Sequence, residues 1–89
     1  MKVIFTIHAK EKLRLIDSKS LGITRKSILG VLNKPLILNK NINPHQSIGV
    51  FSSDLSLVVA WKIEDGIIRV ITFYPAKKGR YESKILRRR

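Results

Sequence analysis

A chain of eighty-nine residues fits one domain spanning 1–89 with one modest core, too short for a two-domain enzyme with a large cleft. At 44% apolar residues it is not a wholly disordered chain, and with no cysteine it has neither a disulfide scaffold nor a cysteine-based zinc site. Eighteen basic residues against six acidic ones give a net charge of +12, a field that attracts polyanions.

Residues 3–7, VIFTI, are rich in β-branched side chains and predict a strand. Ala9, Leu13 and Ile16 then recur at helical spacing, with Lys10, Arg14 and Asp17 pointing away; Leu15 does not fit this stripe. Gly22 has the character of a residue that closes this helix. Thr24 caps a second helix carrying Ile28, Leu29, Val31 and Leu32, which Pro35 stops. Arg25 and Lys26 occupy its first turn, where the helix dipole disfavours cations and a bound phosphate would reverse the penalty; screened surface cations are the plainer alternative.

Residues 36–46 predict a short edge strand and a loop containing Pro44, and residues 47–52 a further strand. The clearest local signal lies at 55–74. Leu55, Leu57, Val59, Trp61 and Ile63 alternate without fault, and Asp65-Gly66 suits a two-residue type I′ turn. That turn sets Trp61 opposite Val70, Ile63 opposite Ile68, Val59 opposite Thr72 and Leu57 opposite Tyr74, all eight on the core face. Ser56, Val58, Ala60 and Lys62 then share the other face with Pro75, Phe73, Ile71 and Arg69. Lys62 directly across from Arg69 is a like-charge conflict that a phosphate or an acidic partner would relieve. A three-residue loop bulged at Gly66 is the alternative, and it puts Arg69 beside Trp61. Residues 80–86 predict a last short strand or a helical turn, and Arg87, Arg88 and Arg89 a basic tail. The expected architecture is α+β: two N-terminal helices on one face of an antiparallel sheet of about four strands, in the order strand, helix, helix and three strands.

The charge is uneven. Residues 1–40 carry +7, residues 41–76 carry −1, and residues 77–89 carry +6. Two histidines thirty-seven residues apart and scattered carboxylates supply no metal-ligand spacing, and no glycine-rich phosphate loop is present, so neither metal nor cofactor is expected. What remains is chemistry using cations, a phenol and an imidazole. RNA carries its own nucleophile, the 2′-hydroxyl, so cleavage needs a base, an acid and cations around the phosphate. Lys62, Arg69, Lys77, Lys78 and Arg80 can supply the charge, and Tyr74, Tyr81 or His8 the proton transfer. Packing of Tyr74 in the core and a capping role for His8 are the structural alternatives.

His8-Ala9 opening a basic helix after the first strand, Gly22-Ile23-Thr24 opening the second, and a β-meander make a chain that resembles the RelE/BrnT-type toxin superfamily. It is similar in particular to the small branch whose helix begins His-Ala. Arg69-Val70-Ile71-Thr72, Ala76-Lys77-Lys78 and Arg80-Tyr81-Glu82 resemble the Arg-Ile-Ile-Ser, Ala and Arg-Tyr-Glu run of BrnT-like toxins. The segment between His8-Ala9 and Gly22 is longer than in that pattern. Phe73-Tyr74 replaces an Ala-Arg pair, leaving Lys77 or Lys78 to restore the cation.

The resemblance implies a RelE-like fold and a ribonuclease toxin, acting on messenger RNA at the ribosome and silenced by an acidic antitoxin. Arg69 and Arg80 would stabilise the scissile phosphate, Lys62 and Lys77 would assist, and Tyr81 or His8 would move the proton. A non-catalytic nucleic-acid-binding module is the second expectation. It would use Phe73 as a stacking platform among the cations, with Lys77, Lys78 and Arg87–Arg89 on phosphates. No apolar run has the ~20 residues of a membrane span. Charge at His8 and Lys10 comes too early for a secretory leader, so a cytoplasmic location is expected.

Overall fold

The computed structural model describes residues 2–78. In chain order the elements are β1 (Val3–Phe5), α1 (Ile7–Arg14), α2 (Ile16–Leu21), α3 (Arg25–Asn33), β2 (Ile37–Asn39), β3 (His45–Val50), β4 (Leu55–Glu64) and β5 (Ile67–Lys77). The fold is α+β, with one five-stranded sheet ordered β1-β5-β4-β3-β2. Two expectations are corrected here. Among the described residues the sheet has five strands rather than about four, and it is mixed, because β1 runs parallel to β5 while every other pair is antiparallel.

The helical region holds three helices where two were expected. Thr6 caps α1 by accepting the Ala9 N–H, which displaces His8 from the capping role. At Leu15 the backbone turns extended, φ −66° and ψ 147°, and α2 begins afresh. A continuous helix would have carried Leu15 off the apolar stripe of Ala9 and Leu13. The break leaves Leu15 57% exposed and lets Ser18 turn inward. Gly22 ends α2 at φ +79°, with Gly22 N–H donating to Lys19 O and Ile23 N–H to Ser18 O, the left-handed closure that glycine permits. Thr24 and Ser27 then cap α3 reciprocally: each side-chain oxygen accepts the other's backbone N–H.

The β4–β5 turn forms as its sequence indicates. Asp65 and Gly66 both have positive φ, 53° and 73°, as a type I′ turn requires. From the turn to Trp61↔Val70 the register is the expected one, and Lys62 does stand opposite Arg69. Beyond that point β5 carries one extra residue, Ile71. The pairs become Ala60↔Thr72, Val59↔Phe73, Val58↔Tyr74 and Leu57↔Pro75. The bulge overturns the expected facing of the strand's second half. Phe73 turns to the helical side and is fully buried, whereas Thr72 and Tyr74 move to the other face.

The main core lies between the helices and the first face of the sheet. Ala9, Ile23, Ile28 and Val31 pack on Phe5, Leu57, Val59, Trp61, Val70 and Phe73. α3 crosses β3 closely at Gly49, where an added Cβ would stand 3.0 Å from Val31 Cγ2. The indole N–H of Trp61 is buried and donates to Ser47 Oγ at 2.8 Å. On the second face a smaller cluster of Ile48, Val58 and Ala76 packs with Ile37 and Tyr74. Among the described residues no helix is long and apolar enough to cross a membrane.

Candidate nucleic-acid interface on the second sheet face

The second face has an apolar part and a charged part, divided by the bulge. Near the turn, β4 alternation aims Lys62 and Glu64 at this face, and β5 aims Arg69 beside them. Glu64 resolves the like-charge conflict expected between the two cations. Its carboxylate lies 2.8 Å from Arg69 Nε and 3.5 Å from Lys62 Nζ. The Lys62 and Glu64 side chains are 43% and 47% exposed, so the cluster is open to a ligand. The Arg69 Nε atom itself is buried, and despite the short ion-pair distance it makes no angularly sound hydrogen bond among the described residues.

Glu64 is the member of this cluster that the sequence analysis did not single out. The signal was available: Glu64 lies two residues beyond Lys62 on the alternating strand, hence on the same face.

Further along, Gln46 of β3 donates from Nε2 to the Tyr74 hydroxyl at 3.4 Å, across β4. From the other side of the sheet edge, Lys12 of α1 reaches Thr72 Oγ1 at 3.2 Å. Its ammonium also stands 5.4 Å from the Phe73 ring centroid and 5.8 Å from that of Tyr74. Lys62, Glu64, Arg69, Thr72 and Tyr74 therefore share one face, with Lys12 at its border.

Other expected site residues lie elsewhere. Lys77 ends β5, eight residues from Arg69 and so about 25 Å along the strand; it is exposed, as is Lys78, whose backbone N–H donates to Asp54 O. Arg25 and Lys26 belong to the helical layer. The Arg25 guanidinium lies 4.6 Å over the Phe5 ring, which gives that first-turn cation a partner within the chain. Lys26 lines a small cleft with Ser27, Lys34 and Leu36. His8 is exposed on α1, in a shallow cleft with Glu11, Lys12 and Leu15. Phe73 is withdrawn from the interface by its burial, which removes the expected stacking platform. Arg80, Tyr81, Arg87, Arg88 and Arg89 lie outside the described residues.

A cleft of about 550 Å³ lies on the helical side between α1, α2 and the outer part of β5. Leu15, Leu21, Ile23, Phe73 and Pro75 line it, with Lys12 and Asp17 at the rim. It is apolar and away from the Lys62–Glu64–Arg69 cluster. Comparison with family models, curated proteins and solved structures finds no match to this chain.

Proposed function

We propose that the chain is a toxin-type endoribonuclease that cleaves RNA on the second sheet face, with Glu64 as base and Arg69 and Lys62 as the phosphate-holding cations. The observation that carries this reading is the cross-strand cluster in which one carboxylate sits between two cations on a face that no described helix covers. The net charge of +12 supports a polyanionic substrate. The resemblance of the sequence motifs to RelE/BrnT-type toxins is a further reason for this reading.

The chemistry follows from the three side chains. Glu64 is engaged by both cations, so an incoming phosphate must first draw Arg69 and Lys62 off it. Arg69 presents a planar fork of donors suited to phosphate oxygens. The freed Glu64 takes the 2′-hydroxyl proton as the 2′-oxygen bonds to phosphorus. The bond from phosphorus to the 5′-oxygen breaks, the Lys62 ammonium gives a proton to that leaving oxygen, and the proton taken up by Glu64 passes to the neutral Lys62 to restore the pair. Charge on the five-coordinate phosphorus is stabilised by the two cations. An acidic antitoxin fits the same surface as a silencing partner, in the cytoplasm and in reach of the ribosome.

The test is incubation of end-labelled RNA with the protein in EDTA, with and without ribosomes. Products ending in 2′,3′-cyclic phosphate are expected. Folded Glu64→Gln and Arg69→Ala variants should cleave about 10²–10⁴-fold more slowly, the range for one acid–base or charge-stabilising group. RNA left intact at saturating protein would remove the catalytic reading. A second reading, a non-catalytic RNA-binding module, then takes its place. Its support is Tyr74, which the bulge carries onto the cationic face in place of Phe73 and which offers a ring for base stacking.

A further inference from the structure

In a regular register, with Ile71 rather than Thr72 opposite Ala60, Thr72 would face the helices and Phe73 would lie opposite Val58 on the face of Lys62 and Arg69. With the bulge, Thr72 pairs with Ala60, two residues from Lys62 on β4, which is about 7 Å along the strand. That step is comparable with the separation of neighbouring phosphates on a single strand.

The same spot receives a cation from outside the sheet. Lys12 extends from α1 past the outer edge of β5 and fixes its ammonium against Thr72 Oγ1 at 3.2 Å. The Phe73 and Tyr74 rings, 5.4 and 5.8 Å away, favour a positive charge there. Of three ammonium donors, Thr72 takes one. Among the described residues no carboxylate lies within ion-pairing distance of Lys12, in contrast to Lys62 and Arg69. A half-buried lysine held by a hydroxyl and two rings, and not neutralised by a described acid, is preorganised for an anion.

Resting on the RNA reading above, we propose that Lys12 and Thr72 form a second phosphate subsite, neighbouring that of Lys62 and Arg69, so that a single strand follows β5 from Arg69 toward Tyr74. The bulge is then the device that puts both subsites on one face. Lys12 acts in binding and takes no part in the bond-breaking step.

The experiment measures binding of a single-stranded RNA that is 2′-O-methylated throughout and so lacks the nucleophile, across a range of salt. Each phosphate neutralised contributes about 0.7 to the slope of log affinity against log salt. Lys12→Gln should reduce the slope by about that amount and Lys12→Arg should preserve it. Thr72→Val should weaken binding with the slope unchanged. Lys10→Gln, an exposed charge on the same helix, should leave the slope as it is. An unaltered slope in Lys12→Gln, or an equal loss in Lys10→Gln, overturns the subsite while leaving the RNA reading in place. Absence of salt-dependent binding by the unmodified protein overturns both.

Discussion

The Thr6 hydroxyl joins the start of α1 to the bulge in β5: it accepts the Ala9 N–H at 3.2 Å and donates to the Ile71 carbonyl at 3.3 Å. One side chain thus caps a helix and satisfies the residue that shifts the register. Replacing Thr6 by alanine removes both bonds and should cost about 1–2 kcal/mol. For a domain of this size that lowers Tm by roughly 4–8 °C per kcal/mol. Thr6→Ser should keep most of the stability in the same melting experiment. Equal losses in the two variants would show that the hydroxyl is not the link.

Gly49 and Val31 fix how closely α3 approaches β3. A Cβ at position 49 would meet Val31 Cγ2 at 3.0 Å and Cγ1 at 3.4 Å. Gly49→Ala is therefore expected to cost about 1–3 kcal/mol as an overpacked core contact. Adding Val31→Ala to it should recover part of the loss, giving a coupling energy measurable in a double-mutant cycle by urea unfolding.

The Ser47 hydroxyl takes the Trp61 indole N–H at 2.8 Å in a buried setting. Ser47→Ala leaves that donor unpaired, at an expected cost of about 1–3 kcal/mol. Trp61 is the single tryptophan of the chain, so its fluorescence follows both the unfolding midpoint and the change in indole environment. A midpoint matching that of the unmodified protein would mean the indole finds another acceptor.

Phe73 and Tyr74 are adjacent in sequence but serve opposite faces. Phe73→Ala should cost about 3–5 kcal/mol by emptying the main core, and Tyr74→Ala should cost distinctly less. In RNA binding the order reverses among variants that remain folded: Tyr74→Ala weakens affinity and Phe73→Leu does not. If Tyr74 proved the more destabilising of the two, the register beyond Trp61 would be wrong.

Local signals in the sequence are sufficient for the hairpin, its turn, the end of α2 and the start of α3. The unbroken alternation from Leu55 to Ile63, the Asp65-Gly66 pair, the Thr24 cap and the Gly22 closure each act over a few residues. The bulge was not legible, because Ile71, Thr72, Phe73 and Tyr74 read as a plausible strand in either register. What selects the observed one is the burial of Phe73 and the bond from Thr6, a residue sixty-five positions away. The three-residue β1 carries no sign of its parallel partner for the same reason. At the candidate site, alternation made the Lys62–Arg69 opposition legible. The neutralising role of Glu64 was less legible, because that residue lies between the last apolar position of the alternation, Ile63, and the Asp65-Gly66 turn.

The parallel pairing of Val3–Phe5 with Ile68–Val70 also sets when the molecule can fold during its synthesis. A ribosome delivers the helices, β2, β3 and β4 before β5, the strand with which β1 pairs. The β4–β5 hairpin forms from near neighbours, and β1 can then dock on β5 by closing a loop that spans most of the described chain. The face bearing Lys62 and Arg69 is assembled by the hairpin. The Lys12–Thr72 contact also needs α1, which follows β1 in the chain and packs beside β5. The Lys62–Arg69 pair thus needs only the local hairpin, whereas the Lys12–Thr72 contact needs the two ends of the described chain to meet.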